Sequence, residues 1–299
     1  MRFGCNIPNV ASAGDALFLA QTMSEAETLG ADSLWIGDHV VLSATDKSRY
    51  PYDAEGIARW SLNSQWLEPL TTLAAVAVCT TRATIGTNVL VLTQRHPVLA
   101  AKIAATVDFL SGGRLRLGVG AGWQTSEIEA LGWTFEDRGR RLNEAIDVLR
   151  ACWQGDVPAL SGAVFDLPEG LRCYPRPVAG TIPVLIGGMS NAAQRRALAR
   201  GDGWIALARP EQLATVSRTA WSALDPEAPT RHGFERLLSI GASGDVNIAT
   251  VRRAYELGFD ELIVMLDWTS PEHAKEELER VRALVTEVSD SSTISSLIL

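Results

Sequence analysis

Asp38 and His39 stand side by side in the run SLWIGDHVV, where a short apolar strand pattern gives way to a long loop. A carboxylate next to an imidazole suits proton transfer near neutral pH, with the acid anchoring the ring or touching a cofactor. Gly86-Thr87-Asn88-Val89 ends another apolar run. It either offers a hydroxyl and an amide to a heteroaromatic ring or turns the chain. Gly187-Gly188-Met189-Ser190 leads into a helix pattern, and such a turn can cradle a phosphate on backbone N–H groups. The stretch LSGGRLRLGVGAGW, residues 110–123, reads as a turn, a strand and a glycine-rich exit ending in Trp123. Gly120 and Gly122 carry no side chains there, so backbone could approach a flat ligand closely.

Other polar residues leave alternatives open. Glu127 and Glu129 follow Trp123 and either reach a site or are solvated acids on a short helix. His96 precedes Pro97 and either lines a site or starts a helix. Arg138, Arg140 and Arg141 sit near Glu136, Asp137 and Glu144, and read as surface ion pairs. His232 and His273 stand alone, so no metal is expected. The chain contains no H-E-x-x-H, G-x-S-x-G or P-loop pattern.

The elements that must position these groups alternate regularly. Strand patterns fall at 2–7, 33–36, 83–87, 114–119, 183–186, 203–206, 236–240 and 261–265. Helix patterns fall at 14–29, 68–80, 98–110, 138–153, 191–200, 211–224, 247–257 and 271–288. The strands are apolar at most positions, as when both faces of a sheet are covered, and the helices carry one apolar face. Eight such pairs predict an α/β fold, the (β/α)8 TIM barrel, with an open doubly wound sheet as the rival. One domain is expected over residues 1–289, with insertions at 37–67 and 155–181 and a tail at 290–299. The first insertion follows a strand, on the side where barrel sites form.

Hydrophobic residues make up 46% and charged ones 21%, an ordinary balance for a chain with a large core. A net charge of −8 argues against nucleic acid or an anionic membrane as partner. No apolar run reaches the roughly 18 residues of a membrane span. Cys5, Cys79, Cys152 and Cys173 match no zinc or redox spacing and are expected as buried free thiols in the cytoplasm.

Taken in order, DSLWIGDHVV, EPLTTLAAVAVCTTRATIGTNVLVLTQRHPVLAAK, LSGGRLRLGVGAGW, RGRRLNEAIDVLRACW, PVLIGGMSNAAQRRA and GDGW resemble the bacterial luciferase-like flavin and deazaflavin oxidoreductases. The Asp-His pair, the YPYD loop and the RHP turn look most like the compact coenzyme F420-dependent branch. The motifs cover residues 1–205, and the remainder follows by rhythm. The resemblance implies a barrel that binds coenzyme F420 at its C-terminal mouth. There Asp38 would contact the cofactor and His39 would serve in proton transfer. A bulge with a non-prolyl cis peptide is implied near residues 87–89, placing Asn88 and Val89 under the ring. Ala121 and Gly122 match the fourth strand's cofactor contacts. Gly187, Gly188 and Ser190 match the loop that holds the phosphate-bearing tail.

One position departs from the pattern. Deazaflavin sugar-phosphate dehydrogenases carry a glutamate where this chain has Trp123, and an indole is no general acid. Their basic substrate-phosphate ligands have no clear counterpart here either. A sugar phosphate is therefore not expected. Tyr50, Tyr52, Trp60 and Trp66 with Trp123 fit a more apolar or planar substrate, with Trp123, Tyr52 and Trp66 in its pocket. The expectation is an F420-dependent oxidoreductase acting on a small organic molecule. The alternatives are an FMN-dependent monooxygenase using reduced flavin and oxygen, and a flavin- or deazaflavin-binding protein without turnover. The family also implies a homodimer, with the apolar run 70–79 in a suitable place, and a separate reductase for the cofactor.

Overall fold

The computed structural model describes residues 1–8, 16–53, 55–58, 60–209, 213, 233–242, 246–268 and 271–296. Its strands are β1 (Arg2–Asn6), β2 (Ser33–Ile36), β3 (Thr84–Thr87), β4 (Leu90–Val91), β5 (Leu115–Gly120), β6 (Leu160–Ser161), β7 (Asp166–Leu167), β8 (Val184–Gly187), β9 (Gly203–Ala208), β10 (Glu235–Ala242) and β11 (Glu261–Met265). Its α-helices are α1 (Ala16–Thr28), α2 (Pro69–Cys79), α3 (Pro97–Ser111), α4 (Thr125–Ala130), α5 (Arg138–Cys152), α6 (Asn191–Arg200), α7 (Ile248–Glu256) and α8 (Pro271–Ser296).

The main sheet runs β3-β2-β1-β11-β10-β9-β8-β5 and closes where β5 pairs with β3. All these pairings are parallel. β4 pairs with β5 and carries β3 onward beyond a break at Asn88 and Val89, which are joined by a cis peptide. Counting β3 and β4 as one stave gives a closed eight-stranded (β/α)8 barrel.

The period of two sorts each strand into an inner and an outer face. Outward residues such as Phe3, Leu34, Ile85, Leu117, Val184 and Leu262 join the large core under the helices. Inward residues form layers. Arg116, Glu235 and Glu261 lie at the N-terminal end, while Trp35, Leu185, Ile205, Leu237 and Ile263 form an apolar middle layer. Val89 and Leu207 pack on top of that layer. The indole of Trp35 fits because its neighbours carry no side chain. A Cβ on Gly86 would stand 2.5 Å from the indole, and one on Gly4 would stand 2.9 Å from its Nε1.

Helix ends follow ordinary capping. The Glu68 carboxylate accepts the Thr71 N–H at 2.6 Å above α2, and the Asn247 side chain accepts the Thr250 N–H above α7. Gly112 ends α3 in the left-handed region at φ 68°.

The structure departs from expectation in several places. The 155–181 insertion contains an antiparallel hairpin, β6–β7. Helix α8 runs to Ser296, into the stretch 290–299 expected as a tail. The helix expected at 211–224 lies outside the described residues apart from Leu213. All four cysteines are free, with Cys5, Cys152 and Cys173 buried and Cys79 only partly so. Arg141 is fully buried and not a surface ion pair. Its guanidinium bonds Asp137 and the carbonyls of Thr93 (3.1 Å) and Thr134 (2.9 Å), locking α5 to the segment after β4. Among the described residues no helix is long and apolar enough to cross a membrane.

Candidate active site

The C-terminal mouth of the barrel holds a cavity of about 380 Å³. Strand ends form its floor: Asn6 from β1, Asn88 and Val89 from the β3–β4 break, Leu207 from β9, Ser239 from β10 and Met265 from β11. Its roof comes from loops: Tyr50, Tyr52, Trp60 and Trp66 from the first insertion, Trp123 after β5 and Arg209 after β9. Asp38 and His39, just past β2, lie between the two.

His39 is buried, and so is the carboxylate that holds it. His39 Nδ1 lies 3.1 Å from Glu127 Oε2. The other oxygen, Oε1, accepts the N–H groups of Val40 at 2.5 Å and Val41 at 3.3 Å. Burial opposes ionisation of Glu127. The His39 ring and the Val40 N–H outweigh it, and hold the carboxyl below the usual carboxylate range. An ionised carboxylate only accepts, so Nδ1 carries the proton and Nε2 is left for the cavity. A carboxylate–imidazole dyad of this kind fixes both ring orientation and tautomer.

Asp38 is engaged differently. Its oxygens take both arms of the Arg95 guanidinium, at 2.6 and 2.9 Å, and Oδ2 also accepts the Val91 N–H at 2.8 Å. Burial pushes the Asp38 carboxyl up, and the paired guanidinium opposes that shift. Arg95 reaches on to Glu68 at 3.1 Å. Asp38 therefore ties the end of β2 to β4 and to the start of α2, and serves as an anchor of the site.

Rings crowd around His39. Its centroid lies 4.7 Å from Trp66, 5.1 Å from Trp60 and 6.1 Å from Trp123. Tyr50 meets Trp60 at 5.1 Å, Trp123 at 5.3 Å and Tyr52 at 5.5 Å, all edge to face. Burial, then the neighbouring Tyr50, pushes the Tyr52 phenol up to about 12, so it stays protonated. The first half of the loop carrying these rings is pinned at two points. Asp46 accepts the N–H groups of Ser48 (2.6 Å) and Ser126 (2.8 Å), and Arg209 bonds Asp53 at 3.0 Å and the Tyr52 carbonyl at 3.3 Å.

Asn88 donates from Nδ2 to Ser239 Oγ at 2.8 Å, while its Oδ1 is buried without a donor among the described residues. Val89, across the cis peptide, fits where two other strands lack side chains. A Cβ on Gly187 would stand 2.5 Å from Val89 Cγ1, and one on Gly120 2.8 Å from Cγ2.

Of the residues singled out from sequence, Asp38, His39, Asn88, Val89, Tyr52, Trp66 and Trp123 share the cavity wall. Ala121, Gly122, Gly187, Gly188 and Ser190 stand outside it. The Ala121 carbonyl accepts the Thr93 hydroxyl at 2.9 Å. Gly122, at φ 79°, packs against Val91 and Ile128. The bare backbone at Gly120 and Gly122 thus faces side chains of the chain itself, correcting the expectation that a flat ligand fills that space. The Gly188 carbonyl accepts the Trp204 indole N–H at 2.7 Å, and Ser190 caps α6 by accepting the Ala193 N–H. His96 is exposed, begins α3 and meets Phe165 at 5.7 Å. Sequence reasoning missed Arg209 and Ser239, and left Glu127 level with Glu129, which is exposed.

Known proteins share this chain's sequence and fold. An uncharacterized protein of Mycobacterium tuberculosis H37Rv is 35% identical over 191 residues, 64% of this chain and 65% of the relative. An F420-dependent glucose-6-phosphate dehydrogenase of Amycolatopsis mediterranei is 35% identical over 192 residues, 62% of this chain and 52% of the relative. The chain thus spans about half to two thirds of the length of these relatives. Among solved structures, an F420-dependent secondary alcohol dehydrogenase in complex with an F420–acetone adduct superposes with a TM-score of 0.73 at 19% identity, covering 95% of this chain and 99% of that one. The FMN-bound oxygenating constituent of 3,6-diketocamphane monooxygenase from Pseudomonas putida gives 0.70 at 15%, covering 93% and 96%. At these identities the two structures speak for the fold alone. The family match runs over residues 1–255, and the chain belongs to the luciferase-like monooxygenase family.

Proposed function

We propose that this protein is a coenzyme F420-dependent oxidoreductase that moves a hydride between the deazaflavin and a small organic substrate, with His39 as the proton-transferring residue. The observation that carries this reading is the His39–Glu127 dyad at the edge of a cavity whose floor includes Asn88 and Val89. The cavity suits a flat heterocycle, because its walls are mostly apolar and Asn88 Oδ1 is a buried acceptor without a donor among the described residues.

Asn88 and Val89 are assigned to hold the ring. Gly187, Gly188 and the α6 start at Ser190 are assigned to the phosphate-bearing tail. When bound, the deazaflavin supplies a carbon that gives or takes a hydride. The chain's own residues do the rest. His39 gives or takes a proton at Nε2, and Glu127 holds the opposite nitrogen and balances the charge of the doubly protonated ring. Asp38, bound to Arg95, keeps the end of β2 in place. The roof rings keep water from the reacting atoms.

The F420-dependent relatives support this choice of cofactor. A second reading, an FMN-dependent monooxygenase, draws on the FMN-bound structural neighbour. Titration of the purified protein with F420, followed by its fluorescence with FMN as competitor, separates them. The expected result is tighter binding of F420, and oxidation of reduced F420 in a substrate screen that His39→Ala slows by about 10²-fold or more. Tighter binding of reduced FMN, with oxygen consumed as product forms, would overturn the proposal. Unchanged turnover in His39→Ala would remove the histidine from the chemistry.

A further inference from the structure

We infer that the space under the aromatic roof takes a planar, uncharged ring compound bearing a carbonyl oxygen, and not a phosphate ester. This rests on the reading above that the floor of the same cavity is the cofactor's.

The first support is the roof itself. Trp60, Trp66 and Trp123 surround His39, the group proposed to move a proton, and Tyr50 packs on Trp60 and Trp123. They meet each other edge to face, with interplanar angles of 65° to 83°. A further flat ring extends such an array with favourable stacking and edge contacts, whereas a puckered polyol buries its hydroxyls against π faces without partners.

The second support is the state of the charges. Asp38 is taken bidentately by Arg95, and Glu127 by His39 and two backbone N–H groups. Arg209 is paired with Asp53, whose side chain is buried. Among the described residues a phosphate entering this wall meets paired groups only and loses its water without an unpaired cation to match it. A neutral molecule loses little.

The third support is an orphaned donor. The indole N–H of Trp66 is buried and has no acceptor among the described residues. Indole offers only a donor, so the partner it lacks is an acceptor atom. Trp66 is also the ring nearest His39, at 4.7 Å between centroids. The N–H is covered as the indole stands, so a small turn of the ring brings it to a carbonyl oxygen in the cavity, beside the residue that moves the proton. A bare hydrocarbon leaves that donor unmet.

Calorimetric titration of the purified protein tests this with four probes. Coumarin is planar and carries a carbonyl. Indole is planar without an acceptor oxygen, cyclohexanone has the carbonyl without the plane, and glucose 6-phosphate is charged. Coumarin is expected to bind at least tenfold more tightly than indole or cyclohexanone, with no heat from glucose 6-phosphate. Trp66→Phe is expected to weaken coumarin about tenfold and leave indole unchanged. Glucose 6-phosphate binding more tightly than coumarin overturns the proposal, as does an equal loss of coumarin and indole in Trp66→Phe. The panel on the native protein needs no variant, so the proposal stays exposed even where Trp66→Phe fails to fold. An F420 titration in the same buffer separates the two readings. F420 binding without coumarin binding ends the substrate class alone, and coumarin binding without F420 ends the cofactor assignment alone.

Discussion

At the N-terminal end of the barrel, Glu261 is fully buried and completely engaged. Its carboxylate takes Arg116 at 2.9 Å, Arg2 at 3.2 Å, the Trp35 indole N–H at 3.0 Å and the Ser33 hydroxyl. Arg116 and Arg2 also share Glu235. At the C-terminal end the residues are aromatic, and the polar groups are arranged in pairs that leave something over. Among the described residues Asn88 keeps an unmet Oδ1, Trp66 keeps an unmet N–H, and His39 uses one ring nitrogen on Glu127. Polar groups that satisfy one another close a barrel end and fix its register. Polar groups that satisfy one another only in part are aimed at something that arrives. The apolar layer of Trp35, Leu185, Ile205, Leu237 and Ile263 separates the two ends, so each can be altered with little effect on the other.

The largest effect is expected at the closed end. Glu261→Ala removes the acceptor shared by four donors and leaves Arg116, itself 8% exposed, without its closest counter-charge. A cost of about 3–5 kcal/mol in unfolding free energy is expected, read from urea or thermal melts. The folded fraction should bind F420 as the native protein does. A variant that stays stable but loses cofactor affinity would show that the two ends are not separable.

How much of this contrast could be read beforehand depends on how far along the chain each relation reaches. The staves were legible because each is a local apolar run, and the expected strand at 261–265 coincides with β11 (Glu261–Met265). The hairpin β6–β7 was not, since strands of two residues leave no alternation to detect. The fit of Val89 between Gly120 and Gly187 joins three separate strands, so the glycines looked like room for a ligand. Asp38 and His39 were legible from their place after a strand. Their partners, Arg95 and Glu127, lie 57 and 88 residues away. What separates Glu127 from Glu129 is the face of α4 that turns toward His39, and a six-residue helix carries too little pattern to show it.

The next effect tests what the dyad does at the open end. Glu127→Gln is nearly isosteric, but Oε1 accepts the Val40 and Val41 N–H groups. The glutamine oxygen must keep that place, which turns its NH2 toward His39 Nδ1. That nitrogen then has to accept, and the imidazole proton moves to Nε2. Nitrogen NMR of the imidazole should report the reversed tautomer, and turnover should fall by about 10²-fold with a changed pH profile. The pH dependence of stability should change as well. Because the folded-state pKa of Glu127 is lowered, its contribution is present above the unfolded value of about 4.3 and is lost as pH falls through the folded value. The glutamine variant should lack that part of the acid-side loss. An unaltered tautomer and an unaltered acid limb would reduce Glu127 to a loop clamp.

The smallest effect should separate the two kinds of polar contact most cleanly. Ser239 is buried, and its hydroxyl accepts the Asn88 amide at 2.8 Å. Ser239→Ala leaves that amide without its partner, at a cost of about 1 kcal/mol in stability. An equal loss among the groups around Glu261 would have no further consequence for binding, since none of them lines the cavity at the mouth. At the mouth, the freed amide lets the Asn88 side chain rotate, and its Oδ1 loses the fixed direction that a flat ring would meet. The variant should therefore bind F420 several-fold more weakly while melting almost as the native protein does. A small stability loss with unchanged F420 affinity would place Asn88 among the structural groups and move the cofactor contact elsewhere along the floor.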